Sequence, residues 1–190
     1  MKIHSLPSPL LDFARLAFVN RTILRIVAAI LMTLILGPLS LTNPVQAQVL
    51  RTIENPGPSD LMKSERQRTR ANELSLRYLG TPLRGGSLRN LRILQRLVDG
   101  NFIPKEDIMD QQVLGLVLGD VMAQNLNLKW IIIDDKIGHS RALRFKDTQP
   151  IFFPITMISK RMTAKEKVNI QALYDPVAAE VEKLVASYGQ

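Results

Sequence analysis

WIIIDDKIGHSRALRF (130–145), KDTQP (146–150) and IFFPITMISKR (151–161) form the stretch on which the fold turns. Trp130 to Ile133 is an aromatic and β-branched run closed by Asp134 and Asp135, the composition of a strand. Successive strand residues face opposite ways, so Trp130, Ile132 and Asp134 share one face and Ile131 and Ile133 the other. Both faces are apolar, and the strand is expected to be covered on both. Asp135-Lys136-Ile137-Gly138 reads as the turn, with Gly138 free to take positive φ. The return segment Arg141 to Lys146 alternates, with Leu143 and Phe145 on one side and Ala142, Arg144 and Lys146 on the other. This is an antiparallel hairpin over 129–146, with room for a third strand at 150–153. Pro154 suits the first position of a helix, so a helical turn or two is expected over 155–162.

Upstream of the hairpin, the central helix is expected over Lys105 to Asn125. Val113, Leu114, Leu116, Val117, Leu118, Val121 and Met122 make it apolar over a wide arc, and Glu106, Asp107 and Asp110 complement the dipole at its start. Gly115 and Gly119 share a face, a spacing that lets a neighbouring element approach closely. Asp120 interrupts the apolar stretch, either as a paired, buried acid or as a solvent-facing one. A helix capped by Ser87 should carry Leu88, Leu91, Leu94, Leu97 and Val98 on one face and end at Gly100-Asn101. Its Arg89, Arg92 and Arg96 form a basic stripe, readable as an anion-binding surface or, more commonly, as a solvated face. Leu61 to Leu79 is a further helix, with a partial stripe of Leu61, Met62, Ala71, Leu74, Tyr78 and Leu79 and a stop at Gly80. Downstream, Asn169 is expected to cap a last helix over 170–187 whose stripe is Leu173, Val177, Val181, Leu184 and Val185. Pro176 should kink or split that helix near Asp175.

Residues 1–47 have the order of a secretory signal peptide: Lys2, Arg15, Arg21 and Arg25, an apolar run from Ile26 to Leu36, then small residues at Val45-Gln46-Ala47. The alternative is an uncleaved membrane anchor, but the run from Ile26 to Leu41 is short for a span of about 20 residues and Gly37-Pro38 breaks it. Export to the periplasm or beyond is therefore expected. Residues 48–60, with Pro56, Gly57 and Pro58, read as a flexible linker, and 61–190 as one domain. Of 25 Lys+Arg and 17 Asp+Glu, the part from residue 48 keeps 21 and 16, a net charge of +5 that suits anionic partners without identifying one.

The chemistry is bounded mainly by what is missing. There is no cysteine, which excludes a disulfide framework, a thiol nucleophile and a cysteine metal site. No phosphate-loop, dinucleotide-binding, GxSxG or HExxH pattern occurs. Beyond the first 47 residues the chain has one histidine, His139, too little for the usual zinc site. No cofactor and no metal are expected, and no residue is assigned to catalysis. Asp134, Asp135 and His139 form the nearest thing to a polar site, either a base oriented by an aspartate or a turn closed by Asx hydrogen bonds. Lys160 and Arg161 follow an apolar run and can hold an anionic ligand or pair with Asp134, Asp135 or Asp120.

ANELSLRYLG (71–80), LQRLVDG (94–100), LGLVLGDVMAQNLNLKWIIIDD (114–135), FPITMISKR (153–161) and VNIQALYD (168–175), in this order, resemble a bacterial family of uncharacterised proteins, the domain of unknown function numbered 3806. The resemblance covers about Ala71 to Val185 and implies a domain boundary but no activity and no catalytic residues. The expected fold is α+β, three or four helices packed on a small antiparallel sheet. The expected role is a non-enzymatic, exported binding or interaction module, its partner an envelope protein or an anionic envelope component. Nucleic acid is disfavoured because the basic stripe lacks interleaved aromatics. Contact with a membrane is expected only through an uncleaved first segment. The rival reading is an enzyme with a polar site in the 134–161 region, built from Asp134, Asp135, His139 and Lys160.

Overall fold

A computed structural model describes residues 51–136 and 138–188. The signal segment read at 1–47 lies outside the described residues. The hairpin forms where the alternation places it: β2 (Lys129–Asp135) pairs antiparallel with β3 (Gly138–Arg144), Trp130 opposite Leu143 and Asp134 opposite His139. Gly138 takes φ 134°, as the turn requires. The third strand is the short β4 (Ile151–Phe152), paired with the end of β3.

The linker reading of 48–60 is corrected by β1 (Thr52–Glu54), which pairs antiparallel with β2 and completes a sheet of order β1-β2-β3-β4. Three residues are too few to show a period, and all three are exposed, so only pairing to the β2 edge makes them a strand. The helix α1 also begins inside the supposed linker, at Pro58 (Pro58–Leu79). Proline stands at its first turn, Asp60 Oδ2 accepts the Gly57 N–H at 3.1 Å, and Gly80 ends it at φ 60°.

The central helix is α3 (Ile108–Asn125), started by Asp107, whose side chain accepts the Asp110 N–H. Val113, Leu114, Leu116, Val117, Leu118, Val121 and Met122 are all buried. It packs against α1, against α2 (Arg89–Asp99), against the 3₁₀ turn Pro154–Thr156, and against α4 (Met157–Thr163) and α5 (Ile170–Tyr188). Gly115 and Gly119 are where the chain needs them: a Cβ on Gly115 would overlap the Ile155 carbonyl, and one on Gly119 would sit 2.5 Å from the Trp130 ring. The class is α+β as expected, with five helices among the described residues because 157–163 is a full short helix.

The helix-facing side of the sheet joins Leu143 and Trp130 to the main core, while Ile131, Ile133, Ala142 and Ile151 form a second, smaller apolar cluster on the opposite side. Four sequence expectations shift. Leu61 and Met62 are exposed, and the inward positions of α1 at that end are Ser64 and Gln67, because they face an arginine rather than the core. Leu88 is exposed, since α2 starts only at Arg89; the Ser87 hydroxyl accepts the Arg89 N–H at 3.3 Å without being the cap residue. Val185 is exposed, past the last buried residue of the stripe, Val181. Pro176 does not split α5, which runs unbroken from its Asn169 cap. The proline removes one N–H from the ladder, and packing of Leu173, Tyr174 and Val177 holds the helix through it.

Candidate functional site at the hairpin

β3 continues its alternation back from Leu143 to Arg141 and His139, so both side chains point to the helix-facing side of the sheet. There they meet the first turns of α1. Arg141 Nη1 donates to Ser64 Oγ at 2.7 Å and Nη2 to Gln67 Oε1 at 2.6 Å. His139 Nε2 lies 3.0 Å from Asp60 Oδ1, and His139 Nδ1 lies 3.5 Å from Asp134 Oδ2. Between α1, the hairpin and the 3₁₀ turn is a cavity of about 200 Å³, lined among others by Asp60, Lys63, Gln112, His139, Ser140 and Arg141.

The electrostatics follow from these contacts. The Asp60 hydrogen bond and then that of Asp134 hold the His139 imidazole above its ordinary pKa. The hydrogen bond from His139 holds Asp60 below the usual carboxylate range, against a smaller opposing effect of burial. With a carboxylate at each ring nitrogen, the imidazolium is favoured and neither nitrogen offers a free lone pair, so His139 is poorly placed to act as a general base. Burial pushes the Arg141 guanidinium down, partly offset by attraction to Asp60. It stays charged at neutral pH all the same.

A pH dependence of stability follows. His139 has a raised folded pKa, so its contribution is complete below the unfolded value near 6.5 and is lost as pH rises through the folded value. Asp60 has a lowered one, so its contribution is complete above the unfolded value near 3.8 and is lost as pH falls through the folded value. The stability difference between the wild type and His139→Gln, from urea melts, is expected to shrink on the alkaline side of 6.5. A difference that stays constant from pH 5 to 9 would mean that the contacts of His139 with Asp60 and Asp134 do not stabilise the fold.

Of the five sequence candidates, the structure unites Asp134 and His139. Asp135 Oδ1 accepts the Gly138 N–H at 3.2 Å, closing the turn. Lys160 and Arg161 lie apart on α4 and do not line the cavity. The expected pairing of Arg161 with an acid is not formed among the described residues; its Nη1 donates to the Met157 carbonyl at 3.0 Å. The reason is that Asp120 is already held in a fork by Arg68, at 2.7 and 2.8 Å, and also accepts Trp130 Nε1 at 3.1 Å. Asp110, read as a dipole partner, is likewise forked by Arg70 at 2.9 and 2.7 Å. Arg68 and Arg70, two residues apart on α1, thereby tie it to two points of α3, Asp120 and Asp110, that are ten residues or about 15 Å apart along the α3 axis. Asp60, Lys63, Ser64, Gln67, Gln112 and Arg141 escaped the sequence reading. Arg141 was legible, since it shares parity with Leu143; Asp60 was legible as a helix-start residue two positions after Pro58.

Among the described residues no group of His, Asp and Glu could hold a metal ion, and no helix is long and apolar enough to cross a membrane. No curated protein matches the chain. A crystal structure of a protein from Bacteroides thetaiotaomicron VPI-5482 is similar in fold, with a TM-score of 0.60 at 13% sequence identity. The similarity covers 66% of this chain and 46% of that one, so this chain spans about half of that protein's length. Residues 90–174, which hold His139 and Arg141 but not the α1 side of the cavity, match the family model described as Domain of unknown function (DUF3806), and the chain resembles that family.

Proposed function

We propose that the chain is an exported, non-enzymatic binding module of the cell envelope that captures a small oxyanion in the cavity between α1 and the hairpin. One observation carries this reading: Arg141 is half-buried beside a cavity and is held by the neutral oxygens of Ser64 and Gln67, with no carboxylate hydrogen-bonded to it among the described residues. A guanidinium with no carboxylate hydrogen-bonded to it can take up an anion, since its planar fork matches an oxyanion. Lys63 and Gln112 line the same cavity and their side chains have no hydrogen-bond partner among the described residues, so they are free to complete the shell. An anionic envelope component, or a carboxylate presented by an envelope protein, supplies such a group. Export rests on the basic, apolar and small-residue order before residue 48.

The test uses protein purified from the native envelope fraction, where an intact mass starting at Gln48 is expected. Inorganic phosphate, sulfate and acetate are then titrated while thermal unfolding is followed. A ligand at 100 times its Kd stabilises by about 2.7 kcal/mol, and the melting temperature should rise accordingly. Arg141→Met should abolish the rise. Lys63→Gln, at an exposed position that leaves the fold intact, should weaken it. No rise with any of the three anions, or a rise untouched by both variants, would refute the site. A mass corresponding to the full chain would refute cleavage alone.

A further inference from the structure

A second cationic surface lies far along the chain from the hairpin cavity. Two cavities, of about 460 and 240 Å³, adjoin where both are lined by Asp99, Lys167 and Val168. Together they make a groove between α2 and the 164–169 loop. Its cations come from three separate segments: Arg92 from α2, Lys105 from the loop before α3, and Lys165 and Lys167 from the loop before α5. None of the four makes an ion pair among the described residues. The acids on the groove are Asp99 and Glu166, and Asp99 already accepts a hydrogen bond from Gln95.

The loop that carries the lysines is fixed rather than draped. Gln95 Oε1 accepts the Ile170 N–H at 2.8 Å, and its Nε2 donates to the Val168 carbonyl at 3.1 Å and to Asp99. Val168 is buried beneath, and Lys165 is held at φ 59°, a left-handed conformation that side chains other than glycine seldom adopt. A solvated helix face scatters its charges outward, whereas here an ordered loop brings like charges to a concave surface. Four cations stand against two acids there, so an anionic occupant relieves their remaining mutual repulsion.

We propose that this groove seats an extended polyanion, a chain whose repeating carboxylate or phosphate groups meet Arg92, Lys105, Lys165 and Lys167 in turn. A linear occupant follows from two joined half-open cavities with cations along both. A flat lipid surface would touch only the rims. The proposal is independent of the oxyanion site at the hairpin, with which it shares no residue.

The test measures binding of fluorescently labelled inorganic polyphosphate and polygalacturonate by anisotropy, over a series of salt concentrations. Whichever of the two binds more tightly names the source of the oxyanions. Lys165→Gln with Lys167→Gln, both exposed, should weaken binding about tenfold and flatten its salt dependence. Arg66→Gln with Lys183→Gln, both exposed and outside either cavity, removes the same charge elsewhere and should leave it unchanged. Equal losses in the two double variants would reduce the effect to net charge and overturn the proposal. So would absence of binding to both polymers, or tighter binding to single-stranded DNA or to vesicles of anionic phospholipid than to either polymer.

Discussion

Gly115→Ala is expected to lower the stability of the domain by about 2–3 kcal/mol, the upper part of the range for overpacking a core. In a free helix the same change should help, by up to about 1 kcal/mol, because alanine is the better helix former. The sign is decided by what the methyl group meets. At Gly115 it would meet main chain, the carbonyl groups of Pro154 and Ile155, well under the 3.0 Å that real Cβ atoms keep. Main chain in a 3₁₀ turn has no rotamer to yield, and Pro154 and Ile155 are themselves buried. Either α3 or the turn must move, and moving α3 disturbs the elements that pack on it. Gly119→Ala meets side chains instead, the Trp130 ring edge at 2.5 Å and Pro154 Cγ at 2.7 Å, so a tilt of the ring can absorb part of the cost. The expected order is Gly115→Ala below Gly119→Ala below wild type in urea midpoint, with the slope unchanged. A midpoint for Gly115→Ala above wild type would mean that α3 and the 3₁₀ turn stand farther apart than they do here.

Much of this fold is legible because the decisive patterns are local. The alternation in β2 and β3 sets which residues face the helices, and the apolar breadth of α3 identifies it as the central element. What escapes is long-range. β1 exists as a strand only through pairing with β2 about 80 residues on, and the three residues TIE carry no period of their own. The choice of ion partners is likewise invisible in sequence. Asp120 sits 40 residues or so from Arg161 and 52 from Arg68, and only the crossing of α1 over α3 decides for Arg68. The hairpin cavity falls between these cases. His139 drew attention as a lone histidine beside two aspartates, but its closest acid is Asp60, 79 residues away in a segment that looked like linker. Arg141 was on the core-facing parity all along. An arginine in that position demands either an acid opposite it or polar residues facing it, and Ser64 and Gln67 at three-residue spacing on α1 are that answer.

Asp120→Ala is expected to cost about 2–3 kcal/mol, somewhat less than the 3–5 kcal/mol typical of breaking a fully buried pair. The carboxylate is mostly buried, with 15% of its side chain exposed, and it holds two partners. Arg68 forks both of its oxygens, and Trp130 Nε1 shares Oδ1. Truncation strands both donors. The guanidinium is 37% exposed and has Glu65 at 3.4 Å, so it can turn to water, which is why the loss stays below the buried limit. Trp130 is half-buried and its indole N–H loses its acceptor, and an unsatisfied donor costs about 1–3 kcal/mol where it is buried. Asp120→Asn separates the two effects. Its side-chain carbonyl can still accept from Trp130 while the charge facing Arg68 is gone, so its loss should be smaller than that of the alanine variant. The tryptophan emission maximum supplies the second readout, since Trp130 is the only tryptophan in the chain. It should shift in Asp120→Ala and hold in Asp120→Asn. A cycle of Asp120→Asn with Arg68→Met should show coupling of about 1 kcal/mol or more. Additive losses would mean that the fork is a surface contact, and that the tie between α1 and α3 rests on Arg70 and Asp110 alone.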